Sequence, residues 1–310
     1  MPGQIALFAA TKRGCLFLKK LKRLVPDYHI TVFSFREEPW EPPFFEEIRE
    51  LTAEAGGSFF EAKHVGDQQF QEFWQNQKVE LIFCVSWRYM VPSLVYQKAT
   101  KGTYVFHDSM LPRYRGFSPT VWAVINGEQQ TGVTLFEMAD EVDAGDIIDQ
   151  EEVSIGTDET IQPVIDRVTQ TYLALLERNL FPLLGGTARK TPQDHAHATF
   201  VCKRLPEDNR IDWTAPARSS YNLIRAVTAP YPGAYTTLND RTLRVWSAKL
   251  LDSVSRYEGV IPGRVVRFQQ GEGATVLTGK GALLLQEVQF DGEERVCASR
   301  ILNRLSCTLR

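Results

Sequence analysis

Strand-like and helix-like segments alternate along the first two hundred residues. Apolar and often β-branched runs predict strands over residues 4–10, 30–35, 58–62, 79–86 and 103–106. Apolar residues at helical spacing predict helices between them, over residues 13–25, 43–55 and 67–77. Strands that alternate with helices of this length form βαβ units, so the pattern predicts an α/β fold with a mostly parallel sheet.

The alternation continues beyond the fifth predicted strand. A short helix, two strands, a long helix and a polar linker are predicted, in this order, over 119–127, 132–138, 145–155, 157–184 and 185–200. Gly127 would close the short helix, and the stretch "GTDET" would begin the long one. The turn "ADEVDAG" would join the two strands.

From about residue 206 the pattern changes. After a short helix over 221–227, β-runs separated by turns follow at 234–238, 242–250, 259–268, 274–278 and 281–289. Such a series is typical of a small barrel or an open β-domain. A chain of 310 residues is long enough for two domains. We therefore predict a Rossmann-like α/β domain over 1–205 and a β-barrel-like (OB-type) domain over 206–310.

Composition narrows the class of protein. The net charge of −3 gives no general reason to expect a polyanionic partner. The five cysteines are odd in number and scattered, which favours reduced thiols in a cytoplasm over a disulfide scaffold. No segment approaches the ~18 consecutive apolar residues of a membrane span. We expect a soluble cytoplasmic protein.

Candidate chemistry begins at the end of the fifth predicted strand. His107 follows that strand immediately, and ligands of open α/β sheets bind at the carboxyl ends of the strands. Asp143 lies in the turn between two later strands, where Gly145 gives the backbone freedom to bend. A carboxylate that orients an imidazole for proton transfer is a common catalytic pairing. Spacing alone does not show that the two residues meet.

Other polar and aromatic residues near this point allow two interpretations. Arg113 and Arg115 flank Tyr114 in a cationic loop, which could clamp a carboxylate or phosphate or could simply be solvated. Trp87 and Tyr89 could flank a flat ring or pack in the core. His195 and His197 would supply two metal ligands at most, so no metal site is predicted.

Several long blocks of this sequence resemble the formyltransferases that use 10-formyltetrahydrofolate. The blocks are "HDSMLPRYRG", "NGEQQTGVTLFEM" and "DEVDAGDIIDQ", followed by "LPEDNRIDW", "IRAVTAPYPGA" and "LRVWSAKLL". The family includes tRNA formyltransferases and nucleotide-sugar formyltransferases, with a Rossmann-like catalytic domain before a small β-domain. The likeness covers nearly the whole chain.

The resemblance implies a role for each part of the predicted site. His107 and Asp143 match the catalytic histidine and aspartate of the family. The folate co-substrate would lie beside Asp143 and against Trp87, Arg88, Tyr89 and Met90. The amine substrate would meet the loop residues Ser109, Leu111, Pro112, Arg113 and Arg115, although Ser109 and the Leu111–Pro112 turn could equally be plain turn residues.

The sequence departs from the family at one catalytic position. The family has an asparagine two residues before the histidine, whereas this chain has Val105. Loss of one hydrogen-bond donor to a developing oxyanion typically costs about 10²–10³ in rate. The task would then fall to protonated His107, a backbone N–H or a water held by Asp143. An apolar residue here also resembles the hydrolase domain of 10-formyltetrahydrofolate dehydrogenase, so hydrolysis stays open.

The acceptor is indicated by the stretch 36–50, where tRNA enzymes carry a basic loop. Here it has six glutamates against two arginines, a poor surface for a phosphate backbone. We therefore favour a small amine, in particular a nucleotide-linked amino sugar, over tRNA. The alternatives are a methionyl-tRNA formyltransferase, a 10-formyltetrahydrofolate hydrolase and a catalytically silent folate-binding or partner-binding module. The oligomeric state stays open.

Overall fold

The structure, a computed structural model, describes residues 3–251 and 255–310 and divides into two compact units. The first unit comprises the residues up to Pro119, Thr131–Ser154 and Asp166–Cys202. The second comprises Thr120–Gln130, Ile155–Ile165 and Lys203–Arg310. The predicted single boundary at 205/206 therefore omits two segments that the structure groups with the second unit. Among the described residues, no helix has both the length and the apolar character needed to cross a membrane.

The first unit is built on a seven-stranded sheet with the order β3-β2-β1-β4-β5-β7-β8. The strands up to Val201 are β1 (Gln4–Ala9), β2 (His29–Ser34), β3 (Ser58–Glu61), β4 (Leu81–Val85), β5 (Thr103–His107), β6 (Arg115–Gly116), β7 (Gln130–Glu137), β8 (Ile147–Ser154) and β9 (Phe200–Val201). Strands β6 and β9 pair with each other outside the seven-stranded sheet. The neighbours from β3 to β5 pair in parallel, and β7 pairs with β5 in the antiparallel direction. The predicted α/β fold with a mostly parallel sheet is confirmed. The strand order reverses between β1 and β4, where ligands of such sheets bind.

The helices follow the predicted alternation. They are α1 (Thr11–Leu24), α2 (Phe45–Glu54), α3 (Gln71–Asn76), α4 (Ser93–Tyr96), α5 (Pro119–Ile125) and α6 (Ile161–Leu184). On α1, Phe17, Leu18 and Leu21 are buried, as their helical spacing predicts. Helix α6 begins at Ile161 rather than at the predicted 157, because the preceding residues form a turn in which the Glu159 carboxylate accepts a hydrogen bond from the Gly156 N–H.

The segment 185–200 is not the linker that its polarity predicts. Thr191 exchanges two backbone hydrogen bonds of 2.8 Å with Ile147, and β9 pairs in parallel with β6. Gln193 is buried, and a 3₁₀ turn covers His195–His197. Its backbone pairs with other strands although most of its side chains are exposed, which explains why hydrophobic periodicity gave no sign of its structure.

Side chains of β5 alternate between two packed layers. Phe106 packs against Phe17, with ring centroids 5.1 Å apart, and stacks on Tyr172. Val105 faces the other layer and packs against a cluster that includes Phe8. Because side chains two residues apart in a strand share a face, His107 lies on the same face as Val105.

The second unit contains a six-stranded antiparallel sheet with the order β10-β11-β14-β13-β12, and β15 pairs with β14. Its elements are α7 (Ala217–Val227), β10 (Ala234–Leu238), β11 (Arg241–Leu250), β12 (Val265–Gln269), β13 (Gly273–Leu277), β14 (Ala282–Phe290), β15 (Val296–Cys297) and α8 (Ala298–Ile301). The predicted β-rich domain is confirmed. The run 259–268 forms a strand only from Val265, because a turn at Gly263, with φ at +82°, precedes it.

A buried guanidinium joins three segments of the second unit. Arg225 of α7 donates hydrogen bonds to the carbonyl oxygens of Val124 (3.3 Å), Gly156 (3.3 Å) and Glu159 (2.9 Å), and to the Asn222 amide oxygen (2.9 Å). Burial lowers the pKa of this guanidinium from its ordinary value. These bonds explain why the segments 120–130 and 155–165 group with the C-terminal residues.

Candidate active site

His107 and Asp143 lie together at the carboxyl end of β5. His107 is the last residue of the strand and is only 7% exposed. Its Nε2 lies 2.8 Å from the carbonyl oxygen of Tyr114, and its Nδ1 lies 3.6 Å from Asp143 Oδ2. A carbonyl oxygen can only accept, so Nε2 carries a proton and Nδ1 is the nitrogen that faces the carboxylate. The structure thus brings together the two residues predicted to be catalytic.

Backbone hydrogen bonds and one amide side chain fix Asp143. The Gly116 N–H donates to Asp143 Oδ2 at 2.8 Å, and Gln193 Nε2 donates to the carbonyl oxygens of Asp143 (2.8 Å) and Gly145 (2.7 Å). Asp143 has a φ of +53°, which non-glycine residues rarely adopt. A Cβ on Gly145 would lie 1.8 Å from the carbonyl oxygen of Glu137, so the turn requires glycine there.

Hydrogen bonds inside the loop after His107, and from the loop to Thr134 and Thr199, fix its conformation. Ser109 Oγ donates to the carbonyl oxygen of Arg113 at 2.7 Å, and Thr134 Oγ1 donates to the carbonyl oxygen of Ser109 at 2.6 Å. The Leu111 N–H donates to Thr134 Oγ1 at 3.1 Å, and the Pro112 carbonyl oxygen accepts from the Thr199 N–H at 3.2 Å. Ser109 and Leu111 are buried. Both side chains therefore shape the loop, and substrate contact by them or by Pro112 stays a prediction.

The two arginines of this loop point in different directions. Arg113 is exposed, and its guanidinium lies 5.5 Å from the centre of the Tyr114 ring. Arg115 is only 3% exposed, and its Nη2 donates to Gln193 Oε1 at 2.6 Å and contacts His195 Nδ1 at 3.1 Å. The solvated alternative is therefore excluded for Arg115, because neighbouring polar groups bind its guanidinium inside the fold, and substrate contact by either arginine stays a prediction.

The residues after β4 divide between packing and a cavity. Trp87 and Tyr89 both pack against Phe35, with ring centroids 5.3 Å and 5.0 Å away. The exposed side chain of Arg88 forms an ion pair with Glu41. These contacts favour packing for the two aromatic rings over stacking on a ligand.

Met90 differs from its neighbours because it is 69% exposed and lines a cavity of about 530 Å³. The other lining residues are His64, Gly66, Asp67, Val91, Pro92, Ser93, Leu94, Tyr96, Ala139 and Asp140. Ala139 and Asp140 belong to the same turn as Asp143. Of the four residues predicted to flank the folate, the structure places Met90 at a cavity.

A buried ion pair anchors the end of β5 on the opposite face of the sheet. Asp108 accepts hydrogen bonds of 2.8 and 3.0 Å from Arg13 Nη1, and the Tyr172 hydroxyl contacts Asp108 and the carbonyl oxygen of Phe106. Burial by itself would raise the pKa of Asp108, but the Arg13 guanidinium and the Tyr172 hydroxyl outweigh it and hold that pKa below 3.8. The backbone that carries His107 is therefore fixed from behind.

Comparisons with known proteins decide the family. A family model described as "Formyl transferase" matches residues 20–180, and a model described as "Formyl transferase, C-terminal domain" matches residues 204–306. The chain belongs to the formyl transferase family.

Solved structures with the same fold include several formyltransferases. The N-formyltransferase from Helicobacter canadensis, in complex with folinic acid and dTDP-3-aminofucose, is 15% identical with a TM-score of 0.70, covering 92% of this chain and 99% of its own. A 4-N formyltransferase from Francisella tularensis is 20% identical with a TM-score of 0.60, covering 75% and 91%. HypX from Aquifex aeolicus in complex with tetrahydrofolic acid is 18% identical with a TM-score of 0.65, covering 96% of this chain and 46% of its own. The chain therefore spans about half the length of HypX.

Two residues of this site were not identified from the sequence. Thr134 gave a weak signal, since it is a polar residue inside the apolar run 132–138, and it bonds the loop after His107. Gln193 gave none, because it lies in a polar segment far along the chain from Asp143. Its contacts depend on tertiary structure alone.

We expect Asp108→Asn to destabilise the protein in a pH-dependent manner. The variant removes the carboxylate that pairs with the largely buried Arg13 guanidinium, a change that typically costs about 3 kcal/mol. Since the folded-state pKa of Asp108 is lowered, this contribution is complete above the unfolded pKa and is lost as the pH falls through the folded pKa. Urea unfolding should thus separate the two proteins at pH 6 and less so below pH 4. Glu177→Gln, which removes an exposed partner of Lys20, should unfold at the same urea concentration as wild type at both pH values. A difference independent of pH would contradict this assignment.

Proposed function

We propose that this formyltransferase moves a formyl group from 10-formyltetrahydrofolate to the primary amine of a nucleotide-linked amino sugar or a similar small amine. The observation that carries the proposal is the His107–Asp143 pair at the carboxyl end of β5, held by the Gly116 N–H. A fixed imidazole beside a fixed carboxylate suits proton transfer during attack of an amine on a formyl carbon.

Folate as the formyl donor is supported by the cavity beside Met90. Its volume of about 530 Å³ lies within the usual range for small-ligand sites. Apolar side chains such as Val91 and Pro92 suit a flat ring, and Asp140 offers a carboxylate to its polar edge. The HypX and Helicobacter canadensis structures contain tetrahydrofolic acid and folinic acid, respectively.

A small anionic amine is favoured as the acceptor by the charges around the site. In the acidic stretch 36–50, Arg36 and Arg49 each pair with Glu46. Both arginines of the stretch are thus engaged in ion pairs, and its excess of glutamate over arginine disfavours a polynucleotide. Arg113 is exposed beside the site and can meet a diphosphate. The Helicobacter canadensis enzyme holds dTDP-3-aminofucose, a nucleotide amino sugar.

The proposed reaction depends on which ring nitrogen of His107 carries a proton. The amine nitrogen forms a bond to the formyl carbon, and the carbonyl oxygen becomes an oxyanion. The attacking nitrogen loses a proton towards His107 Nδ1, while Nε2 keeps its proton in the bond to the Tyr114 carbonyl oxygen. Cleavage of the bond between the formyl carbon and folate N10 then returns a proton to N10. Asp143 orients the imidazole and stabilises its charged form.

Hydrolysis is a second candidate because Val105 supplies no donor to the oxyanion. Its side chain packs against the apolar cluster that contains Phe8. A site with fewer fixed donors gives less preference to an amine over water as the nucleophile. The choice between the two depends on whether turnover requires an amine.

We expect tetrahydrofolate release from 10-formyltetrahydrofolate to require an added nucleotide amino sugar. His107→Ala should lower this rate by about 10²–10⁴, the usual contribution of a general acid–base group. His197→Ala, at an exposed position outside the site, is the matched control and should leave the rate unchanged. Release without amine that still depends on His107 would favour the hydrolase. No release with any small amine would contradict the proposal and direct attention to tRNA.

We expect Val105→Asn to raise turnover, because an amide on the face of His107 restores a donor to the oxyanion. One such donor is worth up to about 10²–10³ in rate. Val105→Leu, which keeps the position apolar, is the control and should give no increase. The measurement is kcat per folded enzyme, with unfolding followed in parallel. An unchanged or lower kcat in stably folded Val105→Asn would show that another group already stabilises the oxyanion.

A further inference from the structure

The amide nitrogen and the amide oxygen of Gln193 both form hydrogen bonds within the site. Its Nε2 donates to the carbonyl oxygens of Asp143 and Gly145 at 2.8 and 2.7 Å, and its Oε1 accepts from Arg115 Nη2 at 2.6 Å. The residue is only 5% exposed. An amide has two N–H donors and one oxygen acceptor in fixed directions, so these partners permit one orientation only.

This amide holds the turn that carries the catalytic carboxylate. The left-handed φ of Asp143 is a strained conformation that persists only where the surroundings enforce it. Gln193 binds the carbonyl groups on both sides of Ala144, and the Gly116 N–H binds the carboxylate itself. Because Arg115 and Gly116 are consecutive, both anchors of Asp143 are tied to the same short stretch of backbone.

The chemistry of Arg115 explains why this position carries glutamine. A glutamate would give the buried guanidinium a charge-assisted pair, but it would have no donor for the carbonyl oxygens of Asp143 and Gly145. Within the part of the chain that the structure describes, the side chain of Arg115 contacts an amide oxygen, an imidazole nitrogen and the Phe200 ring, with no carboxylate. Only an amide can accept from Arg115 and also donate to two carbonyl oxygens.

We propose that Gln193 is a positioning residue for catalysis, which holds Asp143 at the distance and angle that His107 requires, and that Arg115 orients Gln193. Arg115 thereby acts through the frame of the site rather than as a direct clamp on the substrate. The catalytic part of this inference rests on the proposed function, whereas the structural part, the restraint on the turn, does not.

The decisive variant is Gln193→Glu, which has nearly the same shape. It keeps the acceptor for Arg115 but loses both donors and places a charged oxygen against the carbonyl groups of Asp143 and Gly145. We expect kcat to fall about 100-fold, as for a displacement of about 1 Å in a catalytic group, with KM for the folate little changed. The unfolding midpoint should change little, because the new ion pair with Arg115 offsets the two lost hydrogen bonds. The control is Asp194→Asn, an exposed neighbour that contacts only the 3₁₀ turn.

Hydrogen exchange of residues 139–147 supplies a measurement that needs no turnover. We expect faster exchange in Gln193→Glu than in wild type and in Asp194→Asn. Faster exchange together with the fall in kcat supports the inference. If Gln193→Glu exchanges at the wild-type rate, or keeps the wild-type kcat while His107→Ala is inactive, the inference is overturned and the proposed function stays intact. If the wild-type protein shows no turnover, the proposed function fails. The exchange comparison alone then decides whether Gln193 holds the turn.

Discussion

The hydrogen bond from the Gly116 N–H to the Asp143 carboxylate connects two loops that the chain order keeps apart. It requires β6 to lie against β9, an approach that a side chain at Gly116 would block, since a Cβ there would lie 2.4 Å from the Val201 carbonyl oxygen. It also requires the turn at Asp143 to keep its left-handed backbone. The distance from His107 to its carboxylate partner depends on both conditions. The site is thus determined by backbone geometry as much as by its two ionisable side chains.

The face alternation of β5 supplies the second constraint. Val105 and His107 point to one side, where the apolar cluster meets the site, whereas Phe106 and Asp108 point to the helices that carry Phe17, Arg13 and Tyr172. The strand therefore fixes the histidine between an apolar layer and a buried ion pair. In such a setting Val105 packs against the apolar layer, while His107 keeps its contacts with the Tyr114 carbonyl oxygen and with Asp143.

The strands of the parallel sheet and the position of His107 could be predicted because their signals are local. An apolar run followed by a polar residue predicts both the strand and its end. The polar stretch that contains Asp143 and Gly145 likewise predicts a turn. The burial of Arg115 could not be predicted, since it depends on a hydrogen bond to Gln193, far along the chain. The segment 185–200 was wrongly predicted as a linker for the same reason. It is held by backbone hydrogen bonds to Ile147 and to β6 while most of its side chains face solvent, and hydrophobic periodicity does not report such pairing.

We propose that His107 and Asp143 assist transfer of the formyl group to an amine nitrogen. The most direct test follows that carbon, by ¹³C NMR of a reaction started with 10-formyltetrahydrofolate labelled in the formyl group and a nucleotide amino sugar. We expect the concentration of a labelled formamide to rise together with that of tetrahydrofolate in wild type, and no labelled formamide with His107→Ala. Labelled formate as the sole product, at the same rate with and without the amine, would contradict the proposal.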